Sequence, residues 1–294
     1  MTIGQAHAAA PDPDVKIVAS RRERSILWRE VKSANLFAGP PSFQEFFALG
    51  GGSVIYLGSD PSSWLILGRW KEGGRVGIIW AIRAGEEESS ALLRTAVDRG
   101  ADLDFSSLIT RPLSFTQATA YLAAGFEPFR EITIFEMRVG TPPPEKPPRV
   151  LPLGVKPRGL RPGDMGKVLA LDSRCFDDFW SLDRYTLAGI AHAADINTFR
   201  VATAGAMLVG YAIAGVTAGR GYLQRLGVDP AYQGRGLGKA LAAWTLWWMS
   251  RNGASLITVN TQTDNEPASR LYRRLGFRQT GVERFLFARE VSVT

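Results

Sequence analysis

The chain of 294 residues is poor in the residues on which several common chemistries depend. Cys175 is its single cysteine, so no internal disulfide can form, and a reducing cytoplasm is the expected home. His7 and His192 are its only histidines, which argues against a histidine-built zinc site and against a Ser-His-Asp triad. No run of about 18 apolar residues occurs, so no membrane span is expected. The opening "MTIGQAHAAAPDPDV" lacks a basic start followed by an apolar core. Residues 1–14 read as a short disordered tail rather than a secretion signal. Negative charge is scarce in one half only. Residues 1–149 hold 17 Lys and Arg against 17 Asp and Glu, whereas 150–294 hold 18 against 11, which accounts for the whole net charge of +7. That surplus fits a polyanionic ligand, a nucleic-acid surface or an ordinary basic surface.

Proline is concentrated in one place. "GTPPPEKPPRVLP", residues 140–152, has six prolines in thirteen residues. Proline fixes φ and lacks an N–H, so the segment reads as an extended, semi-rigid linker. It leaves domains at about 15–140 and 153–294. The two pieces end alike, in "ATAYLAAGFEPFREITIFEMRV" and "SRLYRRLGFRQTGVERFLFAREV". Tyr121 matches Tyr272, and Gly125-Phe126 matches Gly276-Phe277. Each ending is a helix, a Gly-Phe turn and an alternating strand, which indicates an internal repeat. In the second piece, strand 255–261, helix 265–275 and strand 282–291 follow a meander of strands and two earlier helices. Ser181 is the N-cap candidate of the second of those helices. The order of elements gives an α+β (mixed α/β) fold.

Glycine is rich where it is structurally costly. "QGRGLGKA", residues 233–240, places Gly234, Gly236 and Gly238 between the strand "YLQRLGV" and the long helix "LGKALAAWTLWWM". A helix start has unpaired N–H groups and partial positive charge, and glycines there let phosphate oxygens come close. With Arg235 and Lys239 beside them, the glycines read as an anion cradle rather than a turn without ligand. The dinucleotide pattern G-x-G-x-x-G fails at its third glycine. The nucleotide pattern G-x-x-x-x-G-K-[ST] fails because Ala240 follows Lys239.

"LGVDPAYQGRGLGKAL" resembles the acetyl-CoA signature Q/R-x-x-G-x-G/A of the GNAT family of N-acetyltransferases, filled by Gln233, Gly236 and Gly238. "TDNEPASRLYRRLGF" is similar to the family's following block, with Asn265 and then Tyr272. The repeat extends the resemblance to a tandem of two GNAT-like domains, the layout of mycothiol synthase. "DSRCFDDFWSLDRYTL" is more similar to the ribosomal-protein-alanine acetyltransferases. The resemblance implies two mixed, mostly antiparallel twisted sheets flanked by helices. It implies acetyl-CoA as co-substrate, without metal, and transfer of acetyl to a primary amine in a ternary complex. It assigns Leu226 and Val228 to the acetyl carbonyl and pantetheine, and Gly234, Arg235, Gly236, Leu237, Gly238 and Lys239 to the pyrophosphate. It assigns Asn265 to the pantetheine arm, Leu226 to the oxyanion and Tyr272 to protonating the thiolate.

One position departs from the family pattern. Asn260 stands where the alanine acetyltransferases carry a basic glutamate, and an amide cannot take a proton from an ammonium. Asp177, Asp178, Asp183 and Glu283 are the candidate substitutes. The first domain lacks the cradle. Gly85 is followed by Glu86, Glu87 and Glu88, which suit a helix dipole and repel phosphate. It reads as a degenerate copy whose role is structural or to shape the acceptor cleft, with aromatics such as Trp28, Phe46 and Phe47 read as core. The expected partners are acetyl-CoA and an amine: an arylamine, an aminoglycoside, a peptide N-terminus or a cysteinyl amine. Nucleic acid and membrane are not expected, and the assembly is a monomer or homodimer. The alternative is a CoA-binding sensor or scaffold without turnover.

Overall fold

The computed structural model describes residues 15–17, 53–57, 62–140, 144, 151–191 and 193–291. The tail 1–14, Trp28, Phe46, Phe47, His192 and most of the proline segment lie outside the described residues. Among the described residues, one compact unit holds 15–17, 53–57, 62–129 and 286–291. The other holds 130–140, 144, 151–191 and 193–285. This division departs from one drawn at the prolines, because strand pairing and not chain order decides where a segment packs.

In the first unit, β1 (Val15–Ile17), β2 (Ser53–Leu57), β3 (Trp64–Arg69) and β4 (Val76–Arg83) form an antiparallel run. β5 (Ser107–Thr110) joins β4 in parallel after α1 (Glu86–Asp102). Residues 286–290 complete this sheet, with Ala288 opposite Ile109 and Glu290 opposite Ser107. Leu92, Leu93 and Ala96 of α1 are wholly buried, on the apolar stripe that makes the helix amphipathic. The start of α1 is closed by its own acid. Glu88 Oε2 accepts the Gly85 N–H at 2.7 Å and the Ser63 hydroxyl at 2.9 Å. α2 (Thr119–Ala123) follows β5, and the Tyr121 ring meets Phe126 edge-on at 5.4 Å.

In the second unit the antiparallel run is β7 (Lys156–Gly159), β8 (Ile196–Ala204), β9 (Met207–Thr217) and β10 (Arg220–Val228). β11 (Leu256–Gln262) is parallel to β10 and antiparallel to residues 132–138 of β6 (Glu127–Arg138). Alternation along β9 serves two cores. Tyr211 and Ile213 face Val168 and Leu171 of α3 (Met165–Cys175) and Leu187 of α4 (Arg184–Ala191). Ala214 and Val216 face Ala242, Leu246 and Met249 of α5 (Leu237–Arg251), with Tyr272 of α6 (Glu266–Arg274) in the same cluster. The last strand, β12 (Arg278–Glu290), begins four residues before its expected start. α4 begins at Arg184 and not at Ser181. Asp183 caps it by accepting the Thr186 N–H at 2.6 Å, while the Ser181 hydroxyl donates to Asp178 O. The Tyr272–Phe277 contact, at 5.8 Å, has the same spacing in sequence as Tyr121–Phe126. The hydrogen bonds Phe277 N–H to Tyr272 O and Phe126 N–H to Tyr121 O repeat with it. No helix among the described residues is long and apolar enough to cross a membrane.

Candidate active site

The pairing of β10 with β11 stops early. It runs from Arg220↔Leu256 to Tyr222↔Thr258, and beyond it β11 stays with β6 while β10 stays with β9. A bulge between Leu223 and Arg225 leaves Gln224 out of the β9 register. An extra residue of this kind bends a strand and re-aims its side chains. The strands therefore diverge, and a cleft of about 710 Å³ opens between them.

The glycine turn forms one end of the cleft. Gly234 (φ +69°) and Gly236 (φ +84°) adopt the left-handed region, where a side chain is strained. Gly236 immediately precedes α5 and accepts the Ala240 N–H at 3.0 Å. The N–H groups of Leu237, Gly238 and Lys239 thus precede the first carbonyl available inside the helix. Gln233 ties the turn back to β10, its Nε2 donating to Val228 O at 3.0 Å. Bare N–H groups, a helix start and Lys239 suit a phosphate. Leu226, Val228, Gln233, Gly234, Gly236, Gly238, Lys239, Asn265 and Tyr272 line the cleft, whereas Arg235 and Leu237 do not. Leu237 is core and 1% exposed.

The other end is built by α6 and β11. Asn265 caps α6, accepting the Ala268 N–H at 3.1 Å, and its Nδ2 donates to Gln262 Oε1 at 3.4 Å. Tyr272 is 6% exposed and packs on Phe135. Burial pushes its phenol well above the ordinary range, with nearby Tyr222 adding and Arg225 opposing. Asn260 Nδ2 donates to the Tyr222 hydroxyl. Burial pushes that phenol up to about 12, against the Asn260 hydrogen bond. None of the four candidate carboxylates lines the cleft. Asp177 accepts the Trp180 N–H at 2.8 Å, Asp183 caps α4, and Glu283 is exposed.

A buried network supports the wall facing Tyr272, and it was not anticipated. Asp172 of α3 is fully buried and holds Arg225 of β10 through Nε at 2.9 Å and Nη2 at 3.0 Å. It also accepts the Tyr211 hydroxyl and the Leu182 N–H, the latter at 2.6 Å. Arg225 Nη2 donates to Trp180 O at 2.8 Å, and its guanidinium lies 3.5 Å from the Phe176 ring centroid. One signal was available in the sequence. Asp172 stands four residues after Val168, on the buried face of an amphipathic helix. The network fixes segment 176–182, from which Phe176 and Trp180 reach the cleft.

Residues 166–277 match the sequence model of the acetyltransferase (GNAT) family. The mycothiol acetyltransferase of Actinosynnema mirum is 33% identical over 205 residues, 66% of each chain. That of Pseudarthrobacter chlorophenolicus is 34% identical over 176 residues, 55% of this chain and 54% of the relative. The matched region thus spans about half to two thirds of these relatives. The N-alpha-acetyltransferase RimI of Mycobacterium tuberculosis is 40% identical over 96 residues, 31% of this chain and 59% of that one. Among solved structures, a tandem GNAT protein from the clavulanic acid biosynthesis pathway aligns with a TM-score of 0.68 at 16% identity. That alignment covers 95% of this chain and 99% of the other, and at this identity it speaks to the fold alone.

Proposed function

The chain belongs to the GNAT acetyltransferase family, and from that premise we propose that its second unit moves the acetyl group of acetyl-CoA to a primary amine. The observation that carries this reading is the cleft, where two parallel strands part beside a glycine turn at a helix start. In the proposal the turn 234–239 receives the pyrophosphate through backbone N–H groups, with Lys239 adding charge. Leu226 and Val228 receive the pantetheine and acetyl carbonyl along the unpaired edge of β10, and Asn265 meets the arm from α6. The amine attacks the carbonyl carbon directly in a ternary complex. The Leu226 N–H stabilises the oxyanion that forms. As the oxyanion collapses, the carbon–sulfur bond breaks and the thiolate takes the Tyr272 proton. The attacking nitrogen gives its surplus proton to water, solvent returns a proton to the Tyr272 phenolate, and the products are an amide and CoA.

The first unit is read as a degenerate copy that does not bind CoA. Its corresponding helix start already holds the Glu88 carboxylate, which occupies the place of an anion and repels another. Calorimetry with acetyl-CoA, followed by release of free thiol on adding amines, tests the whole reading. Binding with thiol release is the expected result. Binding without release to any amine would leave a CoA sensor.

A further inference from the structure

Two amide carbonyls at the parting of β10 and β11 lack donors. Gln224 Oε1 is buried without a hydrogen-bond partner among the described residues, and Gln224 lines the cleft from the bulge. Asn260, also on the cleft wall, spends its Nδ2 on the Tyr222 hydroxyl. That leaves Oδ1 as its acceptor, and no described residue donates to it. A buried acceptor such as Gln224 Oε1 is nearly always satisfied by protein, water or ligand, whereas Asn260 is exposed and its Oδ1 is open to the cleft solvent. These two are neutral, so they suit N–H groups and offer an ammonium no counter-charge.

The groups around them hold no base for neutral pH. The cationic lining groups are Arg225, paired with Asp172, and Lys239, Arg270 and Arg274. The other titratable lining groups are Cys175 and Tyr272. Burial pushes the Cys175 thiol up to about 11 and Tyr272 higher still. Tyr222, behind Asn260, is pushed up to about 12 by burial. No carboxylate lines the cleft among the described residues. The nearest in register is Glu136 of β6, opposite Thr258, two pairs away from Asn260↔Ile134 and so on the same face, half-buried and off the cleft wall.

We propose that Gln224 Oε1 and Asn260 Oδ1 form the acceptor-amine site, and that it takes amines already neutral in solution, whose conjugate acids titrate below about 8. Amines next to a carbonyl and arylamines share that property; alkyl amines, titrating at about 10.4, do not. At pH 7.4 the neutral fraction of the two kinds differs by about 10³-fold at most. This inference rests on the acetyltransferase reading of the same cleft.

The test is kcat/KM against pH for an amino-acid amide, an aniline and an alkyl amine, with thiol release as the readout. The acidic limb should follow each acceptor's own pKa. Asn260→Glu should add a limb fixed in the enzyme and raise the rate on the alkyl amine relative to the amide. Gln224→Leu should raise the acceptor KM about tenfold and leave acetyl-CoA affinity intact. An acidic limb at one pH common to every acceptor, and lost in Glu136→Gln, would overturn the proposal and make Glu136 the base. So would an unchanged acceptor KM in Gln224→Leu. Tight acetyl-CoA binding with no transfer to any of the three would instead overturn the acetyltransferase reading.

Discussion

Tyr272 is where a catalytic and a structural role are hardest to separate, since its ring is core while its position borders the cleft. Because burial raises its pKa, the phenol keeps its proton through neutral and mildly basic pH, as a general acid requires. Tyr272→Phe should lower turnover about 10²-fold while acetyl-CoA affinity and thermal midpoint hold. A structural hydroxyl predicts the reverse: stability falls by about 1–3 kcal/mol and turnover stays. Both measurements belong on the same variant. Gly236 raises a different question, because it combines a left-handed backbone with the place assigned to phosphate. Gly236→Ala should cost only the strain of that backbone, about 1–2 kcal/mol. Gly236→Asp should add charge repulsion and weaken acetyl-CoA binding well beyond the alanine variant. Equal affinities in a titration would remove the phosphate from this turn.

Helix α3 matters less for what it contacts than for what it immobilises. Removing Asp172 leaves the Arg225 guanidinium without its carboxylate and frees the Leu182 N–H. Breaking a buried pair from one side costs about 3–5 kcal/mol. Asp172→Ala should therefore lower the thermal midpoint and loosen segment 176–182, raising the acceptor KM more than the acetyl-CoA Kd. The turn before α3 holds a second pair, in which Arg158 meets Asp164 at 2.5 and 2.9 Å. The Arg158 hydrogen bonds hold the Asp164 carboxyl down at about 2, below its ordinary 3.8. A depressed carboxylate stabilises the fold above its unfolded pKa and loses that contribution as pH falls through the folded one. The midpoint gap between Asp164→Asn and the parent should be full above about pH 4 and close toward pH 2. The glycine turn was legible because only glycine sits easily at φ +69° and +84°. The Asp172 network was not, because Tyr211 and Arg225 lie 39 and 53 residues away and look ordinary in their own strands. Ser181 misled because serine and aspartate both cap helices, and only the backbone shows which one does.

For the molecule as a whole, the stoichiometry of acetyl-CoA is the decisive measurement. One equivalent per chain is expected, since Glu88 closes the helix start of the first unit; two equivalents would sink the degenerate-copy reading. The tandem layout could be read from Tyr121 and Tyr272 and their Gly-Phe turns, because that motif is local. The membership of the end strands could not, because hydrogen bonds between distant segments leave no mark in the pattern of either one. Those end strands bear on how the chain acquires its structure. Ala288 is opposite Ile109, and Arg138 is opposite Leu256. As the chain leaves the ribosome, the first unit waits with β5 unpartnered on one side until its last strand is made. Contacts this remote in sequence slow folding and prolong the exposure of a sheet edge. The nascent protein is thus most vulnerable to edge-to-edge association until Ala288–Glu290 are available to pair with β5.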